Sequence, residues 1–112
     1  AGRLEEAVHT CRAGLAVHPG YLSAHVTLGR ALLELGRLAE AESELRLVLQ
    51  SAPEHLAATR ALADVHRREG RLDQARACYE AALRLAPNDP ELERALARVS
   101  AEAASQPVAR AQ

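Results

Sequence analysis

The chain is 112 residues long, enough for one compact domain and not two. Its formal net charge of −1 excludes a partner held by many uncompensated basic contacts, such as duplex DNA. Close to half of the residues are apolar, yet Phe, Trp and Met are absent and Tyr21 and Tyr79 are the only aromatics. Ala, Leu, Arg and Glu, all strong helix formers, dominate; the composition predicts an all-helical fold with a thin, closely spaced core. Lysine is absent, and all 14 Lys-or-Arg residues are Arg, which reads as codon bias in a GC-rich genome ahead of a functional preference for Arg's bidentate donors. Cys11 and Cys78 share no CxxC unit and read as small buried hydrophobes on helices. No apolar run approaches the roughly 20 residues of a membrane span, and no signal peptide is visible. The chain opens in mid-pattern without Met, as a piece of a longer protein would.

Gly2-Arg3-Leu4 recurs as Gly36-Arg37-Leu38 and Gly70-Arg71-Leu72, a period of 34 residues. The first helix, expected over 4–17, carries Leu4, Ala7, Val8, Cys11 and Leu15 on one face and stops before Pro19. It is the second half of a hairpin whose first half is missing. That apolar face therefore predicts either an upstream helix or a second copy of the chain, a homodimer. The next helix, 20–35, holds Leu28, Leu32 and Leu35 and ends at Gly36, which takes the left-handed conformation without steric cost. Helix 38–51 follows within two residues, so the two form an antiparallel hairpin; its stripe is Leu38, Ala41, Leu45, Val48 and Leu49. Helices 54–69 and 72–86 repeat the unit, with Leu62, Val65 and His66 on one and Leu72, Ala75, Tyr79, Ala82 and Leu83 on the other. Pro53 and Pro87 end the two hairpins, and Gly29, Ala63 and Ala97 are small at one repeat position. Glu42 with Arg46 and Glu80 with Arg84 are spaced for ion pairs on exposed faces. Asn88-Asp89-Pro90-Glu91 starts the last helix, 90–104, with Asp as N-cap and Pro in the first position. No helix follows it, so it reads as a capping helix, and 105–112, with Pro107, reads as a disordered tail.

These residues resemble the tetratricopeptide repeat, whose pattern is Trp-x2-Leu-Gly-x2-Tyr, then Ala-x3-Phe, then Pro. One full repeat (20–53) reads His25, Leu28, Gly29, Leu32, Ala41, Leu45, Pro53; the other (54–87) reads Thr59, Leu62, Ala63, His66, Ala75, Tyr79, Pro87. A half repeat (2–19) reads Ala7, Cys11, Pro19. The likeness covers residues 2–104 and departs at the aromatic slots, which hold His, Thr, Leu and Cys. It implies a right-handed α-solenoid of antiparallel hairpins, whose first helices line a concave groove that binds peptides or partner helices.

The resemblance places that groove on helices 20–35, 54–69 and 90–104. Ser23, Thr27, Arg30 and Glu34 form a polar stripe on the first of these. Arg60, Asp64, Arg67 and Arg68 lie near the equivalent face of the second, and Glu91, Arg94, Arg98 and Glu102 on the third. These positions change identity between repeats while the core positions do not. A surface that reads successive parts of one ligand would do this, and so would an unconstrained solvent face. The arginines favour an acidic peptide or a free C-terminal carboxylate, because guanidinium holds carboxylates through two parallel bonds. Chaperone-binding members of the family clamp a terminal carboxylate with Lys and Asn at set places. Val26 and Arg30, then Arg60 and Asp64, stand there in this chain, so an Hsp70- or Hsp90-tail receptor is not expected.

Catalysis is not expected either. His9, His18, His25, His55 and His66 show no HExxH spacing and no zinc framework with the cysteines. There is no Gly-rich phosphate loop, no nucleophile elbow, and no basic stripe with interleaved aromatics for nucleic acid. No cofactor or metal is implied. Three functions stay open: a module that binds a protein or peptide, a spacer or oligomerisation segment of a longer array, and a substrate-positioning array fused to an enzyme domain elsewhere. Cytoplasmic location is the default expectation.

Overall fold

The computed structural model describes residues 2–105. Six helices follow one another: α1 Gly2–Val17, α2 Leu22–Glu34, α3 Leu38–Ser51, α4 Leu56–Arg68, α5 Leu72–Leu85 and α6 Pro90–Ala104. Neighbours in sequence pack as neighbours in space, and α2 also touches α4. The result is a helical-repeat solenoid with extents of 47 × 29 × 25 Å. Of the tail expected over 105–112, Ser105 instead closes α6, donating its N–H to the carbonyls of Ala101 and Glu102. The remainder of that expectation lies outside the described residues.

The turns repeat with the sequence. Gly36 and Gly70 both sit at φ +80°, as the sequence requires of them. The N–H of Gly36 reaches the Leu33 carbonyl at 3.0 Å and that of Arg37 the Leu32 carbonyl at 2.9 Å. Gly70 and Arg71 make the same pair of bonds to Arg67 and His66. This satisfies carbonyls that the helix end would otherwise orphan and reverses the chain within two residues. At the other turns, Tyr21, His55 and Asp89 occupy one repeat position as N-caps. Asp89 accepts from the N–H groups of Glu91 and Leu92, His55 accepts through Nδ1 from Ala58, and Tyr21 offers no side-chain cap. Helices α2 and α4 start two residues later than periodicity alone suggests, because the capping residue stands outside the helix.

The core divides into two clusters. One, within α1–α4, includes Val8, Leu28, Leu32, Leu45, Val48, Leu62 and Val65. The other, within α4–α6, includes Ala63, Leu72, Ala75, Tyr79, Ala82, Leu92 and Val99. Cys78 packs against both and is half-buried, as is Cys11, so neither thiol is as enclosed as the sequence suggests.

The face of α1 is not without a partner. Val8 is buried, and Leu4, Ala7, Cys11 and Leu15 pack against the first cluster, because α2 lies alongside α1 as an antiparallel neighbour. Those four stay only partly covered. Of the two expected surface pairs, Glu42–Arg46 forms at 2.8 Å. Among the described residues no ion pair joins Glu80 to Arg84.

The small repeat positions show why they are small. Gly29 faces Leu45 one helix away, and a Cβ on Gly29 would lie 2.9 Å from both Cγ and Cδ2 of Leu45. One repeat later the equivalent residues Ala63 and Tyr79 are both buried in the second cluster, with a flat ring in place of the branched Leu. Ala97, the third in the series, is exposed, since no described helix follows α6 to cover it. Gly29→Ala should therefore destabilise the protein by about 1–3 kcal/mol, the usual cost of overpacking a closed core. Urea unfolding checks this; an unchanged midpoint would mean that Leu45 yields freely.

Candidate functional site

Two cavities lie side by side along the first helices of the hairpins. The larger, about 300 Å³, is lined by Arg60, Asp64 and Arg67 of α4, Tyr79 of α5, and Glu91, Arg94, Ala95 and Arg98 of α6. The smaller, about 80 Å³, lies between α2 and α4 and is lined by Arg30, Leu33, Glu34, Arg60, Ala61 and Asp64. Arg60 and Asp64 belong to both, so the two form one continuous polar surface. Helical spacing puts these residues there. Arg60, Asp64 and Arg67 fall at i, i+4 and i+7 of α4, and Arg94 and Arg98 one turn apart on α6.

The residues expected from sequence divide accordingly. Arg30, Glu34, Arg60, Asp64, Arg67, Arg94 and Arg98 come together along this surface. Ser23, Thr27 and Arg68 line neither cavity. Tyr79, read from sequence as a core aromatic, does more. Its ring is almost wholly buried while its hydroxyl, donating to Asp64, forms part of the cavity floor. Burial, reinforced by the Asp64 carboxylate, holds the Tyr79 hydroxyl firmly protonated. No sequence spacing announces this bond, because the partners meet only when the hairpin closes.

The arginines are not all available. Arg60 donates to Glu91 at 2.7 Å, and Arg67 grips Glu102 through Nε at 3.0 Å and a terminal nitrogen at 2.9 Å. These bonds from α4 to the carboxylates of α6 raise the pKa of both guanidiniums. The Arg67 fork likewise holds the Glu102 carboxyl below its usual range. Arg30, Arg94 and Arg98 carry no hydrogen bond or ion pair among the described residues. The sequence suggests a uniform arginine cluster; the structure separates two arginines with internal partners from three without.

A second charged cluster sits apart, where α3, α4 and the α4–α5 turn meet. Donor atoms of Glu42, His66 and Glu69 lie within 4.8 Å of one another. Arg46 already holds Glu42 at 2.8 Å, and Arg71 stands 3.9 Å from Glu42 and 3.8 Å from Glu69. Burial works to raise the Glu42 pKa, but Arg46, with the charges of His66 and Arg71, leaves it lowered. Two guanidiniums beside the carboxylates oppose a further cation, so this set fits a metal poorly.

Fold and surface together define a helical-repeat module of antiparallel hairpins that exposes one face of its first helices. Family models for the tetratricopeptide repeat match residues 27–90 and 1–50, the former more than half of the chain. The chain belongs to the tetratricopeptide repeat family. Among solved structures it is similar to the first tetratricopeptide domain of Spaghetti (RPAP3), solved bound to the HSP90 peptide SRMEEVD. That match has a TM-score of 0.88 and 25% identity, over 93% of this chain and 82% of the other. The second such domain of human RPAP3, in complex with the HSP70 peptide SGPTIEEVD, gives 0.81 and 19% over 88% and 82%. TTC0263, a thermophilic tetratricopeptide protein of Thermus thermophilus, gives 0.79 and 33% over 88% of this chain and half of the other. No curated protein sequence matches the chain.

Proposed function

We propose that the chain is a protein-interaction module that docks an acidic peptide segment on the surface formed by α2, α4 and α6. One observation carries this: among the described residues Arg30, Arg94 and Arg98 have no partner, along cavities that Arg60 and Arg67 also line. Unpartnered guanidiniums converging on one surface create a positive potential that steers anionic segments and binds them through charge-assisted bonds. The acidic peptide SRMEEVD on the similar RPAP3 domain supports the same ligand chemistry. A chaperone tail is not assigned. Val26 is buried and offers no donor, and Asp64 presents a carboxylate where a terminal carboxylate would need an amide.

Affinity capture from the native lysate tests the proposal, with wild type beside a variant carrying Glu at 60, 67, 94 and 98. A protein held by wild type and lost by the folded variant supports the surface and identifies the ligand. Equal capture by both overturns it. The partly covered face of α1 favours a second reading, self-association, in which Leu4, Cys11 and Leu15 meet a second copy. Light scattering that finds only monomer at high concentration removes that reading.

A further inference from the structure

Resting on the docking proposal above, we infer that the cavity between α4 and α6 takes a phosphorylated side chain of the docked segment, a dianion, rather than a carboxylate. The Arg67–Glu102 pair shows what one carboxylate needs: a single guanidinium fork satisfies both of its oxygens. The cavity brings four such forks together, from Arg60, Arg67, Arg94 and Arg98. Internal carboxylates already hold two of them. A peptide carboxylate that displaced Glu91 or Glu102 would replace one bond with its equal and would compete with a group tethered at high effective concentration. The gain must therefore come from Arg94 and Arg98.

Those two stand one turn apart on α6, a like-charge spacing that destabilises a helix, and among the described residues no acidic side chain bonds either of them. The Glu102 carboxylate feels the charge of Arg98 but is engaged by Arg67. Asp64, the carboxylate on the floor, accepts from Tyr79 and lies between Arg60 and Arg67 in charge. A phosphoryl group carries close to two negative charges at neutral pH and three acceptor oxygens. It answers two adjacent forks at once, and Arg60, which lines the same cavity, has N–H groups beyond the one bonded to Glu91. At about 300 Å³ the cavity admits a phosphoryl group with the side chain that carries it. A nucleic acid would need a basic track with stacking aromatics, and the cavity has a single ring, buried to its hydroxyl.

Inorganic phosphate and a phosphoserine hexapeptide are the probes, titrated into the whole chain and followed by amide and arginine Nε NMR signals. Chloride at equal ionic strength, acetate and the unphosphorylated hexapeptide are the controls. Phosphate is expected to shift signals of α4 and α6 saturably, with chloride and acetate silent. The phosphopeptide should bind more tightly than free phosphate, which separates a side-chain ligand from the free anion. Equal affinity for the two overturns the side-chain assignment. Arg94→Gln with Arg98→Gln, both exposed, should weaken binding at least about tenfold with an unchanged circular dichroism spectrum. Glu91→Gln should tighten it, because Arg60 is released. Phosphate shifts no larger than those from chloride, or retained in the double variant, would overturn the inference. If acidic peptides still bind in that case, the docking proposal survives alone; if they do not, both fall.

Discussion

Tyr79→Ala is expected to cost about 3–5 kcal/mol, as truncating a buried aromatic usually does, and to damage the two halves of the solenoid unequally. Tyr79 is the largest fully buried side chain and lies in the α4–α6 cluster, whose other members are Ala, Leu and Val. A domain of this size has only about 5–15 kcal/mol of total stability. Repeat proteins hold together mainly through neighbouring interfaces, so the loss should stay local. Hydrogen exchange should show amides of α5 and α6 losing protection while those of α2 and α3 keep most of theirs. A uniform loss would mean that the two clusters unfold as one and would sink the idea of a divided core. Tyr79→Phe should be milder, about 0.5–1.5 kcal/mol, since only the bond to Asp64 is lost.

His25 is expected to make stability pH-dependent. Its ring is buried, with Nδ1 2.7 Å from a Glu44 carboxylate oxygen and Nε2 2.7 Å from the Pro19 carbonyl. Both nitrogens face acceptors, so both bonds form only when the ring carries both protons. Burial alone would lower its pKa. The bonds to Glu44 and Pro19, with the Glu44 charge, outweigh burial and raise it above 6.5. A group with a raised folded pKa stabilises fully below its unfolded value, and that contribution fades as pH rises through the folded value. Stability should thus be fully supported below about pH 6.5 and should decline on the alkaline side. His25→Ala should cost about 2–4 kcal/mol at pH 6, from the lost packing and bonds, and should flatten the profile. Chemical denaturation at pH 5.5 and 8.5 tests this. A wild type equally stable at both, or a variant with the same slope, would show that His25 is not the titrating group.

Much of the fold is visible in the sequence because each mark has a local cause. Gly36 and Gly70 are needed for a backbone conformation, Pro19, Pro53 and Pro87 stop helices, and Asp89 caps one. Such causes act within a few residues and so leave a period. The surface is less visible. The arginines appear on their helix faces, but whether each is engaged depends on residues about 30 positions away: Glu91 lies across from Arg60 and Glu102 from Arg67. The same holds for the Tyr79–Asp64 bond and for the meeting of Glu42, His66 and Glu69. Helix α6 misleads in one respect: Ala97 keeps the repeat's small residue although nothing described presses on it.

Cys78 stands at the seam between the two core clusters, and that gives the seam a clock. Burial raises its thiol pKa, against a small opposing pull from the Arg46 charge, so in the closed molecule it reacts slowly. A thiol reagent reaches this half-covered thiol faster during moments when the halves part. With Cys11 replaced by serine, the part of the labelling rate that exceeds that of the closed molecule would count those partings. A ligand that bridges α2, α4 and α6 would slow the count, so occupancy could be followed from the side of the molecule the ligand never touches.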